Sequence, residues 1–155
     1  MGYGLVLDDD VRVAAWVYST YKMFPIPVNR AYGLVETDGT LVGAALLQNY
    51  NGVNIELSYY GPWTLSLGLV REIIRLGVTE FNVGRATVLT SKKNKRLIKS
   101  LLRFGWRFEG VQRCFYGHRD CTRNTAVRFV MFREQLDRIG KLPSTSIEQG
   151  LKHGH

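Results

Sequence analysis

Residues 94–110 read NKRLIKSLLRFGWRFEG, and they determine most of what the sequence predicts about the fold. Four apolar residues repeat at helical spacing and predict a face that packs on a sheet: Leu97, Ile98, Leu101 and Leu102. Three basic residues lie four apart and predict a second face: Lys95, Lys99 and Arg103. Glycine favours the end of a helix, so Gly105 predicts a helix over 94–104 that leads into a strand over 106–117.

The preceding sequence predicts the sheet on which this helix packs. Asp-Gly at 38–39 and Asn-Gly at 51–52 are strong hairpin signals, and they separate three strand-like runs that end with 53–60. Gly-Pro at 61–62 predicts the start of the next helix, because proline suits the first helical turn. The β-branched residues of 85–90 then predict another strand.

The two ends of the chain complete the order of elements. A short strand is predicted before residue 8, and a helix over 11–21 follows three aspartates that suit its N-terminus. The last strand begins near residue 126 and passes into a short helical tail. The predicted order is β, α, β-β-β, α, β, α, β-β, which indicates one α/β domain over 1–140 with a single sheet. Residues 141–155 are predicted to be a flexible tail.

Composition narrows the class of protein. Of 155 residues, 45% are apolar, which is typical of a globular domain. No apolar run approaches the roughly 18 residues that span a bilayer, and the N-terminus is acidic where a secretion signal is basic. We therefore expect a cytoplasmic protein that does not enter the membrane. The net charge of +8 favours an anionic partner, either nucleic acid or a phosphate-rich ligand.

The pattern of these residues resembles the Gcn5-related N-acetyltransferase (GNAT) superfamily. An Asn before a helix, a Gly-aromatic pair and an acidic-Gly pair are its most specific signals; here they are Asn94, Gly105-Trp106 and Glu109-Gly110. Phe81, Gly84 and Arg85, with the final VMFREQL, resemble a subgroup related to the ribosomal-protein acetyltransferases. The resemblance implies an acyltransferase fold, in which helices flank a mixed, mostly antiparallel sheet. It also implies acetyl-CoA as co-substrate and an amine acceptor.

One motif of that superfamily is missing. Its glycine-rich pyrophosphate loop is replaced by YYGPWTLSLG at 59–68. Backbone N–H groups at a helix N-terminus cradle phosphates, and the candidates here are those of Trp63, Thr64, Leu65 and Ser66. The resemblance further assigns Leu57, Ser58, Lys93 and Asn94 to the co-substrate. Asn94 is also well suited to cap the helix, and Lys93 also fits a solvated basic face.

The reaction implied by the resemblance needs a base for the acceptor amine and an acid for the departing thiolate. Glu56 is the one carboxylate of the fourth strand and is the predicted base. Tyr116 is the predicted acid, with Tyr59 and Tyr60 as weaker alternatives. A covalent role for Cys114 is not favoured, because no histidine partner is evident. Cys114, His118 and Cys121 lack a fourth ligand for structural zinc, so no metal is predicted.

The sequence leaves the acceptor and the partners open. A protein amine, a small amine or an antibiotic all remain possible acceptors, and the chain is expected to be a monomer or a homodimer. A first alternative is a GNAT-fold protein that modifies DNA or tRNA, which the net charge favours. A second is a catalytically degenerate binding protein on the same fold, which the altered phosphate loop favours.

Overall fold

The computed structural model describes residues 3–61 and 67–140, and its elements follow the predicted order. They are β1 (Gly4–Val6), α1 (Asp10–Tyr21), β2 (Arg30–Val35), β3 (Leu41–Gln48), β4 (Asn54–Tyr60), α2 (Leu67–Glu80), β5 (Arg85–Ser91), α3 (Lys95–Arg103), β6 (Arg107–Gln112), β7 (Ala126–Phe132) and α4 (Arg133–Gly140). A 3-10 turn, Thr122–Asn124, lies between β6 and β7. The predicted succession of strands and helices is confirmed. The predicted tail, 141–155, lies outside the described residues.

The seven strands form one sheet in the order β1-β2-β3-β4-β5-β7-β6. Neighbouring strands are antiparallel, except β4 and β5, which are parallel. The mixed, mostly antiparallel sheet is therefore confirmed. Because β7 lies between β5 and β6, the strand that follows α3 forms one edge of the sheet.

Both predicted hairpin turns form for local reasons. In the first turn the Asp38 carboxylate accepts the Thr40 backbone N–H at 2.9 Å, and Gly39 has a φ of 86°. In the second, the Asn51 side-chain oxygen accepts the backbone N–H of Asn54 at 2.7 Å. Short polar side chains and glycine satisfy such turns without help from the rest of the fold, which is why the sequence predicts them.

The two faces of the sheet carry separate cores. Helix α1 covers one face of β2 and β3 through Val13 and Val17, which have no exposed surface. The opposite face carries a larger core to which α2, α4 and the residue before β6 contribute Ile73, Leu136 and Trp106. Since α1 covers β2 and β3, the side chains of Glu56, Ser58 and Arg128 on its side of the sheet are only partly buried.

Helix α3 packs on the larger core less completely than predicted. Ile98 and Leu101 contact that core, but Leu102 is 52% exposed, so its placement on the packed face was wrong. Successive helical residues are about 100° apart, and only the Ile98–Leu101 side of the helix turns toward the sheet. Gly105 ends the helix with a φ of 102°, as predicted.

One predicted boundary differs from the structure, and another adjoins residues outside the described part. Strand β6 ends at Gln112, so Tyr116 lies in the β6–β7 loop and not on the predicted strand 106–117. The chain leaves the strand because the N–H groups of Phe115 and Tyr116 both donate to the Asn124 carbonyl. Helix α2 is described from Leu67, whereas the sequence predicted its start at 61–62; residues 62–66 lie outside the described part.

The lengths and apolar contents of the described helices bear on whether any of them could span a membrane. None of them is long and apolar enough to cross a bilayer. The cytoplasmic location and the state of assembly stay predictions.

Candidate functional site

Strands β4 and β5 diverge partway along their length and open a gap in the sheet. They pair in parallel from Asn54–Arg85 to Leu57–Val88 and no further. Beyond that point Ser58 and the following residues pair only with β3, and Leu89 to Ser91 pair only with β7. The gap therefore lies between two otherwise well-paired strands, at their carboxyl ends, where α2 and α3 follow in the sequence.

The predicted co-substrate residues Leu57 and Ser58 lie where the strands part. Leu57 belongs to the last β4–β5 pair, and its side chain contacts the larger core. The backbone beyond it faces the gap without a β5 partner. A strand edge of this kind can hydrogen-bond an extended ligand as an added strand would.

Glu56 lies on the accessible, α1-side face of the sheet. Its neighbour Ile55 is buried in the larger core, and alternation along the strand directs Glu56 the other way. The Glu56 carboxylate accepts a hydrogen bond from the Asn49 side chain at 2.8 Å and lies 3.6 Å from the Arg128 guanidinium. Its side chain remains 19% exposed. The predicted base is thus held in place on two sides and is still open to solvent.

Arg128 and Asn49 contact Glu56, and the sequence analysis did not single out either of them. Arg128 is the one basic residue in the otherwise apolar strand AVRFVMF. A single charge in an apolar strand is the feature of the sequence that could have drawn attention to it. Only the register of β7 against β5, in which Leu89 pairs with Arg128, brings it toward Glu56. Asn49 has a φ of 56°, so it turns the chain between β3 and β4 as well as contacting the carboxylate.

Tyr116, the predicted acid, lies in the β6–β7 loop near the same face. Partial burial raises the pKa of Tyr116 to about 12, with smaller contributions from Tyr60 and Glu56. Glu56 and Tyr60 are thus within electrostatic range of its hydroxyl. The two predicted catalytic residues therefore influence each other electrostatically, although they come from a strand and a distant loop.

The alternative acids differ in their surroundings. Alternation puts Tyr60 on the same face as Glu56, where its ring packs 5.2 Å from that of Tyr21. Burial raises the pKa of Tyr60. Tyr59 lies on the opposite face of β4, and burial also raises its pKa. Position therefore favours Tyr116 and Tyr60 over Tyr59 as partners of Glu56.

Asn94 connects the end of β5 to α3 but does not cap the helix with its side chain. It occupies the N-cap position without a capping hydrogen bond, so the predicted side-chain cap is wrong. The side-chain amide instead donates to the Thr90 hydroxyl at 3.2 Å, because that hydroxyl lies beneath it at the end of β5. Lys93 is exposed beside it. Trp63, Thr64, Leu65 and Ser66 lie outside the described residues.

The cysteine-containing loop has no arrangement typical of a metal centre. Cys114 and Cys121 are free thiols, and Cys114 contacts the His118 carbonyl oxygen at 3.6 Å through its sulfur. Across residues 3–61 and 67–140, no three His, Cys, Asp or Glu side chains converge as metal ligands would.

Comparison with known proteins identifies the fold. No protein-family model and no curated protein sequence matches the chain. The spermidine/spermine N-acetyltransferase SpeG from Vibrio cholerae, solved with manganese ions, has a TM-score of 0.57 at 15% identity, over 79% of this chain and 75% of that one. The ribosomal-protein-S5-alanine acetyltransferase from Vibrio fischeri has a TM-score of 0.59 at 10% identity, over 84% and 92%. A Bacillus subtilis acetyltransferase in complex with CoA has a TM-score of 0.57 at 11% identity, over 84% and 99%.

Each of these three acetyltransferase structures matches at least 79% of this chain with a TM-score of 0.57 or more. The chain therefore has the GNAT fold, and the resemblance seen in residues 94–110 is confirmed at the level of the fold.

Proposed function

We propose that the protein is an N-acetyltransferase that moves an acetyl group from acetyl-CoA to an amine by direct attack. The observation that carries the proposal is the divergence of β4 and β5 beside Glu56 and Tyr116. A carboxylate open to solvent and a protonated tyrosine at one cleft are the pair that this chemistry needs. Solved proteins with this fold include one in complex with CoA, which supports acetyl-CoA as co-substrate.

The proposed reaction assigns the acceptor amine to Glu56 and the departing thiolate to Tyr116. The acceptor nitrogen attacks the thioester carbonyl carbon and forms the new carbon–nitrogen bond. Glu56 accepts the proton that the nitrogen loses, while Asn49 and Arg128 hold its carboxylate in position. The carbon–sulfur bond then breaks, and the departing thiolate receives a hydrogen bond or a proton from the Tyr116 hydroxyl. The products are the N-acetylated amine and free CoA.

The co-substrate residues follow from the same geometry. We assign the backbone of Leu57 and Ser58 to the extended arm of acetyl-CoA, because a strand edge without a partner can pair with it. We assign Asn94 and Lys93 to the far side of the gap, where β5 leads into α3. The backbone amides of residues 63–66 are assigned to the phosphates.

The direct test is acetyl transfer to a panel of acceptors, read by the mass of the products. The panel holds peptides with free N-termini, lysine peptides, small amines and aminoglycosides. We expect at least one acetylated product, and a kcat lowered by about 10²–10⁴-fold in Glu56→Gln. Glu36→Gln, at an exposed glutamate of the β2–β3 hairpin, is the matched control and should keep wild-type kcat. If Glu56→Gln kept full activity, the assigned base would be wrong.

A second candidate, a GNAT-fold protein that modifies nucleic acid, is favoured by the charge around α3. Six exposed basic residues there have no carboxylate partner among the described residues: Lys92, Lys93, Lys95, Arg96, Lys99 and Arg103. Cations of this kind bind phosphate backbones with an affinity that falls steeply with salt. Titration of tRNA and duplex DNA at rising salt tests it, and absence of binding at low salt would exclude it.

A further inference from the structure

The β6–β7 loop forms an open pocket beside the proposed acid. Its volume is about 430 Å³, and its lining residues are Tyr116, Arg119, Cys121, Arg123 and Asn124. Tyr116 thus has the pocket on one side and, within electrostatic range, Glu56. A molecule that presents a group to Glu56 and Tyr116 can extend into this pocket.

The loop is anchored where β4 and β5 have parted. The Ser91 hydroxyl, at the end of β5, donates to the Arg123 carbonyl at 2.7 Å. The Lys92 backbone N–H donates to the Thr125 carbonyl, also at 2.7 Å. The pocket therefore lies at the mouth of the gap and is tied to the strand that borders it.

The pocket is also braced from within. The Asn124 side chain donates to the Arg119 carbonyl at 2.8 Å, and the Thr125 hydroxyl donates to the Cys121 carbonyl at 2.8 Å. These hydrogen bonds are accepted by backbone carbonyls, so they do not involve the side chains of Arg119 and Arg123. A loop ordered in advance loses less entropy when a ligand binds.

The charge of the pocket is positive and uncompensated. Asp120 is the one carboxylate of the loop, and Arg113 forms an ion pair with it, whose hydrogen bond lowers the pKa of Asp120. Arg119 and Arg123 are exposed, and neither forms an ion pair with any described residue. Guanidinium groups bind carboxylates and phosphates through paired hydrogen bonds.

We propose that Arg119 and Arg123 form an anion subsite for the acceptor, which is therefore an amine that also carries a carboxylate or phosphate group. The inference rests on the proposed function, because it takes the amine to lie at Glu56. The subsite would disfavour a polycationic acceptor of the spermidine type. The second ammonium group of such a molecule would be repelled by Arg119, Arg123 and nearby Lys92. In the proposed complex, the anionic group of the acceptor lies at Arg119 and Arg123 while its amine lies at the Glu56 carboxylate.

The test is calorimetric binding of matched amines to the protein saturated with free CoA. The probes are ω-amino carboxylates and aminoalkyl phosphates of increasing chain length, the plain alkylamines of the same length, and spermidine. We expect the best anionic amine to bind at least about tenfold more tightly than its alkylamine and than spermidine. Comparison of carboxylate with phosphate probes identifies which anion the subsite prefers.

A double variant isolates the two arginines. Arg119→Gln with Arg123→Gln should reduce the affinity for the anionic amine to that of the alkylamine and leave the CoA affinity unchanged. Arg96→Gln with Lys99→Gln removes the same charge from α3 and should keep the preference. The inference fails if spermidine or the alkylamine binds as tightly as the anionic amine, if no anionic amine binds, or if the double variant weakens only CoA, whose own phosphate would then be the ligand.

Binding and turnover separate this inference from the proposed function. Anionic amines that bind through the arginines but are never acetylated would support the subsite and contradict the acetyltransferase proposal. Acetylation of spermidine in preference to every anionic amine would support acetyl transfer and overturn the subsite.

Discussion

Tyr116 keeps its proton at neutral pH, and its surroundings raise its pKa further. Its pKa is raised to about 12 by partial burial, with smaller contributions from Tyr60 and Glu56. Because the raised value lies far above neutrality, the hydroxyl keeps its proton over the whole physiological range. It can then donate a hydrogen bond to the leaving sulfur at every pH at which the protein is tested.

Tyr116→Phe should lower kcat by about 10²-fold, because it removes the donor and keeps the ring. The ratio of the wild-type kcat to the variant kcat should be constant from about pH 6 to about pH 9, since the protonated fraction of Tyr116 does not change there. Rate–pH profiles of both proteins measure it. Tyr3→Phe, at the other end of the sheet, should leave kcat unchanged. A factor that shrinks toward pH 9 would mean that the tyrosine titrates in this range and that its environment is not the one described.

The sequence predicts single site residues better than their partners. Glu56 is predictable as a candidate base because β4 holds one carboxylate, but the face that it occupies follows only from the packing of its neighbour Ile55 into the larger core. Arg128 is not predictable, because its distance to Glu56 depends on the order β4-β5-β7 and on the register of each pair. The hydrogen bond of the Asn94 side chain is not predictable for a similar reason. Its amide donates to the Thr90 hydroxyl, and the sequence does not show whether the side chain will bond to that hydroxyl or to the backbone of the helix.

At the scale of elements, the turn between α3 and β6 depends on Gly105. Its φ of 102° is in the left-handed region, and a Cβ there would collide with the Gln135 side chain of α4. The Gln135 amide also donates to the Gly105 carbonyl at 3.1 Å, so the turn is joined to the last helix. The glycine was predictable because its requirement is local, whereas the contact with α4 was not.

Gly105→Ala should lower the free energy of unfolding by about 1–3 kcal/mol, from backbone strain and displacement of Gln135. Urea unfolding measures the loss. Gly110→Ala is the matched control, because nothing lies within 4 Å of its added Cβ. Adding Gln135→Ala should recover the steric part of the loss only. Equal stability of Gly105→Ala and Gly110→Ala would show that the turn does not need a left-handed residue.

Arg30 connects three elements through carboxylates. Its guanidinium contacts Asp8 at 2.6 Å and Asp10 at 3.2 Å, at the start of α1, and Glu80 at 2.8 Å, at the end of α2. Arg30→Gln leaves these three carboxylates, of which Asp8 is 75% exposed, close together without a cation. We expect a loss of about 1 kcal/mol in the free energy of unfolding, part of which added salt should restore by screening the repulsion. Arg138→Gln, at an exposed residue of α4, is the control, and an equal loss there would contradict this role.

At the scale of the whole molecule, the sequence identifies the fold from a few positions and leaves the site incomplete. Residues 94–110 carry the resemblance because the helix, the Gly-Trp turn and the strand follow one another within one short segment. Tyr116 was placed on the wrong element because the β6–β7 loop is fixed by bonds to Asn124 rather than by local pattern. The altered phosphate loop leaves co-substrate binding as the property that most needs a measurement.

Acetyl-CoA should stabilise the folded protein if the gap between β4 and β5 is its site. At about a hundred times its dissociation constant, a ligand adds roughly 2.7 kcal/mol to the free energy of unfolding, or about 5–10 °C in Tm for a chain of this length. Thermal unfolding with acetyl-CoA, desulfo-CoA and free CoA measures it, with adenosine as the control that lacks the pantetheine arm. We expect all three CoA forms to raise Tm and adenosine not to. If no form of CoA raised Tm in the well-folded protein, the degenerate binding protein would become the better interpretation, because the fold would have kept its cleft without the ligand that defines acetyl transfer.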